Sequence, residues 1–235
     1  EIGNLLGEGG FARVFACNVT KSSSSKLHST TGGISSEDHP NTPQLLALKK
    51  IRPALLLQHK QKDEKAEVLL KKATKDFIHE VHILALLLKS SANQQPHDNI
   101  ICLRGIVVST PHHKMEHCGL VLEQFQETLA DRIESWRQQS KSQQPPNPKH
   151  LYQTKIDFSY QISLALQHLH QHRILFRDLK PENLGIVYNT NASGEIIKLF
   201  DFGMARQLPT TIDKDNNGKE AKKRAASPLS PLRLR

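Results

Sequence analysis

The sequence predicts an α+β fold in which five short strands and one long helix precede a mainly helical part. A glycine-rich turn at positions 7–10 separates an apolar run from FARVFACNV, whose alternation is typical of a strand. Apolar stretches of strand length follow at 45–51, 100–108 and 119–125. Positions 62–89 are rich in Lys, Glu, Leu and Ala, and their apolar residues recur at helical spacing. Strands grouped ahead of helices favour the α+β class.

The second half begins with a polar, Pro-rich connection at 140–150. Apolar residues then recur at helical spacing and predict a helix from Thr154 to His172. Two apolar stretches, 184–188 and 196–200, flank NTNASGE, whose residues suit a hairpin loop. FRDLKPEN at 176–183 lies between the helix and the hairpin, and its proline is not compatible with a regular helix.

Two segments have the composition of chain without a fixed structure. Residues 20–44 are dominated by Ser, Thr, Gly and Pro and predict a disordered loop insertion. Residues 207–235 are polar, basic and Pro-containing and predict a disordered tail. The last 30 residues hold eight Lys or Arg against three Asp or Glu, which is over half of the net charge of +9. A basic tail therefore explains the charge, and nucleic acid is not an expected partner.

The composition excludes several classes of protein. With 37% apolar and 23% charged residues, the chain resembles ordinary globular proteins. Its apolar runs are shorter than the roughly 18 residues that cross a bilayer, so we expect no membrane partner. Cys17, Cys102 and Cys118 lack CxxC spacing and predict reduced thiols. Without a secretory signal, we expect an intracellular, cytoplasmic protein that begins, at Glu1, inside a longer chain.

Two short segments carry residues suited to phosphate chemistry. Gly7-Glu8-Gly9-Gly10 lets backbone amides approach a phosphate closely, although a plain hairpin turn is the alternative. A strand follows these glycines where a dinucleotide fingerprint needs a helix. FRDLKPEN places an acid, a lysine and an amide close together, and carboxylate and amide oxygens suit Mg²⁺.

From Leu6 to about Arg206, these segments resemble, in order, the eukaryotic protein kinase family of the Ser/Thr type. The glycine segment is similar to the family's glycine loop, with Ala12 in place of the third glycine. LALK at 46–49 resembles the family's Val-Ala-Ile-Lys strand, and FRDLKPEN resembles its catalytic loop. Asp201-Phe202-Gly203 resembles the metal-binding triplet.

The resemblance implies a two-lobed kinase fold. Its N-lobe, 1–126, would hold an antiparallel five-strand sheet with the long helix, and 127–206 would form a truncated, mainly helical C-lobe. The implied activity is transfer of the ATP γ-phosphate, with Mg²⁺, to Ser or Thr hydroxyls of a protein substrate. Because no Ala-Pro-Glu and no further C-lobe helices follow Gly203, the alternative is a catalytically impaired, ATP-binding interaction module. The truncation predicts exposed apolar surface on the Thr154–His172 helix, and a partner that covers it.

The resemblance also implies roles for individual residues. Asp178 would accept the proton of the substrate hydroxyl, and Lys180, typical of Ser/Thr-directed members, would neutralise the phosphoryl group. Asn183 and Asp201 would ligate Mg²⁺. Lys49 would hold the ATP phosphates with Glu80 as its ion-pair partner, Leu122 would be the gatekeeper, and 123–125 the adenine-binding hinge. The implied ATP-binding residues are Gly7, Gly9, Gly10, Val14, Ala47, Lys49, Glu80, Leu122, Glu123 and Phe125.

Two positions depart from the family's pattern. Phe176 replaces a histidine but retains an apolar body for packing. Gly185 stands where members have a large apolar residue under the adenine, and the neighbouring Ile186 is a candidate to compensate, which the sequence cannot show. Histidines are concentrated in two places: His168, His170 and His172, which we interpret as structural, and His112, His113 and His117 with Cys118, whose spacing fits no common zinc site.

Overall fold

The computed structural model describes residues 2–18, 45–52, 64–90, 96–107, 118–142, 147–189 and 194–209. The predicted insertion at 20–44, the tail beyond 209 and the loop histidines at 112, 113 and 117 lie outside these ranges. The chain divides into two compact units. The first comprises Glu1–Phe77 and Cys102–Gln124, and the second comprises Ile78–Ile101 and Phe125–Arg235.

The first unit contains an antiparallel five-stranded sheet. Its strands are β1 (Ile2–Glu8), β2 (Ala12–Cys17), β3 (Leu46–Ile51), β4 (Leu103–Val107) and β5 (Gly119–Glu123). They are arranged in the order β1-β2-β3-β5-β4, and every neighbouring pair is antiparallel. The predicted strand set is confirmed, and with it the α+β class.

The long helix α1 runs over Glu64–Ser90, close to the predicted 62–89. Acidic residues in its first turn and Lys89 in its last turn complement the helix dipole. In the first unit, its residues Ala73, Leu70 and Phe77 pack with Ile51 of β3 and with Phe11 of the turn before β2. Burial of this apolar side contributes more to the stability of the helix than the helix propensity of its residues does.

The second unit combines two helices with short strands. These elements are β6 (Glu127–Thr128), α2 (Leu129–Ser140), α3 (Pro148–Gln171), β7 (Ile174–Leu175), β8 (Leu184–Asn189), β9 (Gly194–Leu199) and β10 (Arg206–Gln207). Strands β6, β8 and β9 form one antiparallel sheet, and β7 pairs with β10. The predicted 184–200 hairpin is therefore present. Its inward side chains, Ile186, Ile197 and Leu199, are fully buried.

Two boundaries and one helix differ from the sequence expectation. Helix α3 begins at Pro148, not Thr154, because the Asn147 side chain caps it and accepts from the Lys149 amide. Helix α2 is not among the predicted elements, although its apolar residues Leu129, Ile133 and Trp136 recur at helical spacing. The predicted tail begins at 207, yet Gln207 pairs with Ile174, and the Leu208 amide donates to the Arg173 carbonyl.

Helix α3 exposes an apolar stripe, as predicted. Tyr152, Ile156 and Tyr160 recur every four residues and are 67%, 43% and 65% exposed. The predicted partner for this surface stays a prediction. Across the described ranges, the helices lack any apolar stretch sufficient to cross a membrane.

Three histidine rings stack at the end of α3. The centroid of His168 lies 4.6 Å from that of His97 and 4.4 Å from that of His172. The Asn99 amide donates to His97 Nδ1, so that nitrogen carries no proton, and His172 Nδ1 donates to the His168 carbonyl. Burial, with the neighbouring His172 and His97, lowers the pKa of His168 to about 4. The structural role predicted for His168 and His172 fits this packing.

We expect this histidine stack to make the fold sensitive to acid. Below pH 6.5 the unfolded chain binds a proton that folded His168 does not take up, so stability falls as the pH drops from 6.5 to about 4. The full shift corresponds to roughly 3 kcal/mol, and solvent screening of this half-buried ring reduces it to about 1 kcal/mol. Among the surrounding charges, Asp98 favours protonation of His97 and Lys198 opposes it.

Thermal melting between pH 7 and pH 4 measures the effect. The His168→Gln variant should lose less stability over this range than the parent. His170→Gln, at an exposed position of the same helix, should retain the parent's pH dependence. Equal slopes in parent and His168→Gln would contradict the assignment.

Candidate active site

The glycine hairpin connects β1 and β2 in the first unit. Gly7 lies opposite Val14 in the strand register, and the Gly9 amide donates to the Ala12 carbonyl at 2.9 Å. A Cβ atom at Gly7 or Gly10 would meet no described atom within 4 Å. Packing among the described residues therefore does not require these glycines. The open space beside them is what a closely approaching ligand would need.

Glu8, within this hairpin, is held by two arginines. Arg13 Nε donates to its Oε2 at 2.9 Å, and Arg52 Nη2 lies 2.6 Å from its Oε1. Arg52 also donates from Nη1 to the Gly9 carbonyl at 3.3 Å, and from its amide to the Phe11 carbonyl at 3.0 Å. The hydrogen bond from Arg13, with the charges of both arginines, lowers the pKa of Glu8. Arg52, which directly follows β3, thus holds the hairpin in place.

Register places four predicted ATP-binding residues on one face of the sheet. Val14 lies directly opposite Lys49, and Ala47 lies opposite Leu122. Opposed residues share a face, and so do residues two apart on one strand such as Ala47 and Lys49. Ala47 and Leu122 are buried, at 5% and 7% exposure. This face therefore carries a cation beside small and apolar surface.

Glu123, the last residue of β5, is hydrogen-bonded to Cys102, which directly precedes β4. Its Oε1 accepts from the Cys102 amide at 2.7 Å, and its own amide donates to the Cys102 carbonyl at 3.1 Å. The Gln124 amide then donates to the Leu45 carbonyl. The side chain of Glu123 therefore positions the predicted hinge.

In the second unit, FRDLKPEN brings its acid, lysine and amide into contact. Asp178 Oδ2 accepts from Asn183 Nδ2 at 2.8 Å and pairs with Lys180 Nζ at 2.9 Å. The short 3-10 turn Pro181–Asn183 allows this, since it brings Asn183 back toward the Asp178 carbonyl, which also accepts from Nδ2. The hydrogen bond from Lys180 is the main reason that the pKa of Asp178 is lowered. The same hydrogen bond raises the pKa of Lys180.

The donor set of this unit fits a hard cation. Asn183 is 4% exposed, and Asp178 engages its amide nitrogen, so its amide oxygen is the atom left to face a metal. The Asn183 carbonyl accepts from the Phe200 amide at 3.1 Å, directly before Asp201. Asp201 has φ 63°, a left-handed conformation that is uncommon for a non-glycine residue and concentrates at functional sites. An amide and a carboxylate oxygen suit Mg²⁺, which keeps several ligands from substrate and water.

Packing holds the residues around this loop. Phe176 is 3% exposed and makes an edge-to-face contact with Phe202, with ring centroids 5.1 Å apart. The prediction that Phe176 keeps an apolar packing body is confirmed. Ile186 is fully buried, and as the next residue along the strand it points to the face opposite that of Gly185. The ring of Phe125 fills the space beside Gly185.

Sequence reasoning missed the residues that hold the chain after Gly203. Arg177 Nε donates to the Met204 carbonyl at 2.7 Å, and His79 Nε2 donates to the Ala205 carbonyl at 2.6 Å. His79 directly precedes Glu80, which is 2% exposed on α1. The position of Arg177 directly before Asp178 could have drawn attention to it in the sequence, whereas nothing in the sequence around His79 distinguishes that residue. Lys49 and Glu80 belong to different units, and their ion pair stays a prediction.

Comparison of the sequence with known families points to the same class of protein as the candidate site residues of both units. A sequence model described as protein kinase domain matches residues 30–223, which is most of the chain. The chain therefore belongs to the protein kinase domain family. The glycine hairpin lies ahead of the matched residues.

A curated relative supports the same family. Over 110 residues the chain is 37% identical to a protein of Danio rerio named cyclin-dependent kinase 15. The aligned part is 47% of this chain and 22% of the relative. The chain therefore spans about a fifth of the length of the curated relative that it matches.

Proposed function

We propose that this protein kinase domain transfers the γ-phosphate of ATP to Ser or Thr hydroxyls of a protein. The hydrogen-bonded set of Asp178, Lys180 and Asn183 carries the proposal, because phosphoryl transfer depends on such positioning and on cations near the phosphate. Lys180 two residues after the acid favours Ser and Thr over Tyr as acceptors.

Each residue of the set has a distinct role in this proposal. Asp178 orients the acceptor hydroxyl and takes its proton, and its lowered pKa keeps the carboxylate charged at neutral pH. The Lys180 side chain is 46% exposed, so its Nζ can contact the transferring phosphoryl group while paired with Asp178. Asn183 and Asp201 would hold Mg²⁺, which supplies charge neutralisation to the phosphates when bound.

The first unit would bind the nucleotide. Gly7, Gly9 and Gly10 would approach the phosphates, with open space beside Gly7 and Gly10, and Lys49 would pair with the phosphates. Ala47, Val14 and Leu122 share the face of Lys49, and the 123–125 segment would hydrogen-bond the adenine. In this proposal, 1–126 is the N-lobe and 127–206 a partial C-lobe.

The test is transfer of labelled phosphate from Mg-ATP to mixed Ser/Thr and Tyr peptides. Since the relative's name includes cyclin dependence, the reaction is run with and without an added cyclin. Transfer to Ser or Thr supports the enzyme. Binding of Mg-ATP without transfer by a longer parent chain favours the ATP-binding interaction module, for which the exposed stripe of α3 would be the contact surface.

Arg52→Ala is expected to raise the KM for ATP about fivefold, while kcat stays within about twofold. The variant removes the contacts from Arg52 to Glu8 and to the Gly9 carbonyl, so the hairpin is held less firmly before the nucleotide binds. Nucleotide binding then has to order the hairpin, which weakens the apparent affinity. Steady-state kinetics over a range of ATP concentrations measure this. Arg104→Ala, at an exposed position of β4, is the matched control and should leave the KM unchanged. An equal KM in both variants would contradict a role for Arg52 in holding the hairpin.

A further inference from the structure

Gly185 and Phe125 are sterically matched within the second unit. A Cβ atom built on Gly185 would lie 2.5 Å from Cγ and 2.6 Å from Cδ1 of the Phe125 ring. Atoms this close overlap, so no side chain can coexist there with the ring in this position. Gly185 otherwise occupies a regular strand position, opposite Thr128 on β6 and Lys198 on β9. The glycine is therefore explained by the ring that rests on it.

Phe125 also stacks on a second aromatic ring. Its centroid lies 4.6 Å from that of Phe200, and the ring planes are inclined by 28°. Both side chains are only half-buried, so the pair keeps accessible aromatic surface. Phe200 immediately precedes Asp201, and its amide is bound to the Asn183 carbonyl. The aromatic pair is thus tied to the two residues that fit a metal bound to phosphates.

We propose that the Phe125 ring, supported by Gly185 and Phe200, is the surface on which the purine base of the nucleotide stacks. This inference rests on the proposed function and names a residue of its site that contacts and positions the base. Base–aromatic stacking tolerates any planar base, because every base has a π face. The ring therefore supplies affinity for the base, and discrimination between purines has to come from polar contacts to the base edges.

The proposal predicts a reciprocal pair of substitutions. Phe125→Ala removes the stacking surface and should weaken Mg-ATP binding about tenfold. Gly185→Leu alone should also weaken binding, because it displaces the ring. The double variant Phe125→Ala with Gly185→Leu places an apolar side chain in the vacated space and should recover most of the affinity. Such non-additivity is expected of residues that are in contact or share one cavity, and not of distant, independent sites.

Equilibrium titration with Mg-ATP and Mg-GTP measures these affinities without requiring activity. Tyr160→Ala, an exposed aromatic of the same unit, is the matched control, and melting temperatures check that each variant is folded. Both nucleotides should lose affinity to a similar extent in Phe125→Ala. An unchanged affinity, or a tighter one because the ring had blocked the site, would overturn the proposal.

The outcome also separates this proposal from the proposed function. If the parent binds Mg-ATP but transfers no phosphate, the kinase proposal fails while the stacking surface is still judged by the variants. If the parent transfers phosphate and Phe125→Ala binds ATP normally, the stacking surface fails alone. A parent chain that does not bind Mg-ATP would overturn both.

Discussion

Replacement of Asp178 by asparagine is expected to reduce phosphoryl transfer by about a thousandfold. Asparagine has nearly the same shape but cannot take the proton of an acceptor hydroxyl. Its remaining side-chain oxygen can still accept from Lys180 Nζ or Asn183 Nδ2, which now contact Asp178 Oδ2 at 2.9 and 2.8 Å. The loop should therefore keep its conformation, and the loss should appear in kcat with little change in Mg-ATP affinity.

The control for this variant comes from the same loop. Glu182 is an exposed acid four residues after Asp178, and Glu182→Gln should stay within about twofold of the parent. Phosphate transfer, Mg-ATP titration and melting temperature are measured for both variants. Comparable activity of Asp178→Asn and Glu182→Gln would exclude Asp178 as the base, whereas a lower melting temperature would point to a structural effect.

The larger elements could be predicted because their patterns are local. Alternation in β2 and helical spacing in α1 each arise from residues that face a core. Helix α2 has only three well-spaced apolar residues, Leu129, Ile133 and Trp136, and none of them is fully buried, so the Thr128–Asp131 capping box is its clearest local signal. Two-residue strands such as β7 and β10 exist only through their pairing, which the sequence does not encode locally.

The candidate site likewise contains residues that a local motif places together and contacts that depend on the fold. Asp178, Lys180 and Asn183 are close in sequence, so a motif alone is enough to place them together. The contact of Phe125 with Gly185 joins residues 60 positions apart, and the contact of Arg52 with Glu8 joins residues 44 apart. Such contacts depend on how strands are registered and stacked. A departure such as Gly185 therefore signals an altered site without telling which residue compensates for it.

The largest structural effect is expected at Arg132, which ties α2 to the three-stranded sheet. Its guanidinium donates to Glu127 of β6, Glu195 of β9 and Tyr188 of β8. The Arg132 side chain is only 15% exposed. Burial alone would raise the pKa of Glu127, but hydrogen bonds from Arg132 and Tyr188 bring it below its ordinary value. Because α2 buries no side chain fully, this network and the capping box hold the helix in place.

Arg132→Met should destabilise the protein by about 2–3 kcal/mol, which is roughly 5–10 °C in melting temperature. Methionine keeps part of the packing, but it leaves Glu127 and Glu195 as partly buried, uncompensated charges. The loss should shrink in Arg132→Met with Glu127→Gln, since one of those charges is then removed. The loss should also shrink as the pH falls, because protonation of Glu127, whose pKa is lowered in the parent, removes a charge that the variant leaves without its cation.

Arg137→Met is the matched control on the same helix. Arg137 is 70% exposed, and its pair with Glu134 spans 3.6 Å, so its loss should cost less than about 0.5 kcal/mol. Thermal unfolding of both variants at neutral pH makes the comparison. Equal losses would mean that the network adds no more than a surface pair, and that α2 is held by something other than Arg132. The expected difference arises because removal of a shared cation leaves two partly buried carboxylates without a counter-charge, whereas removal of an exposed one returns a single carboxylate to water.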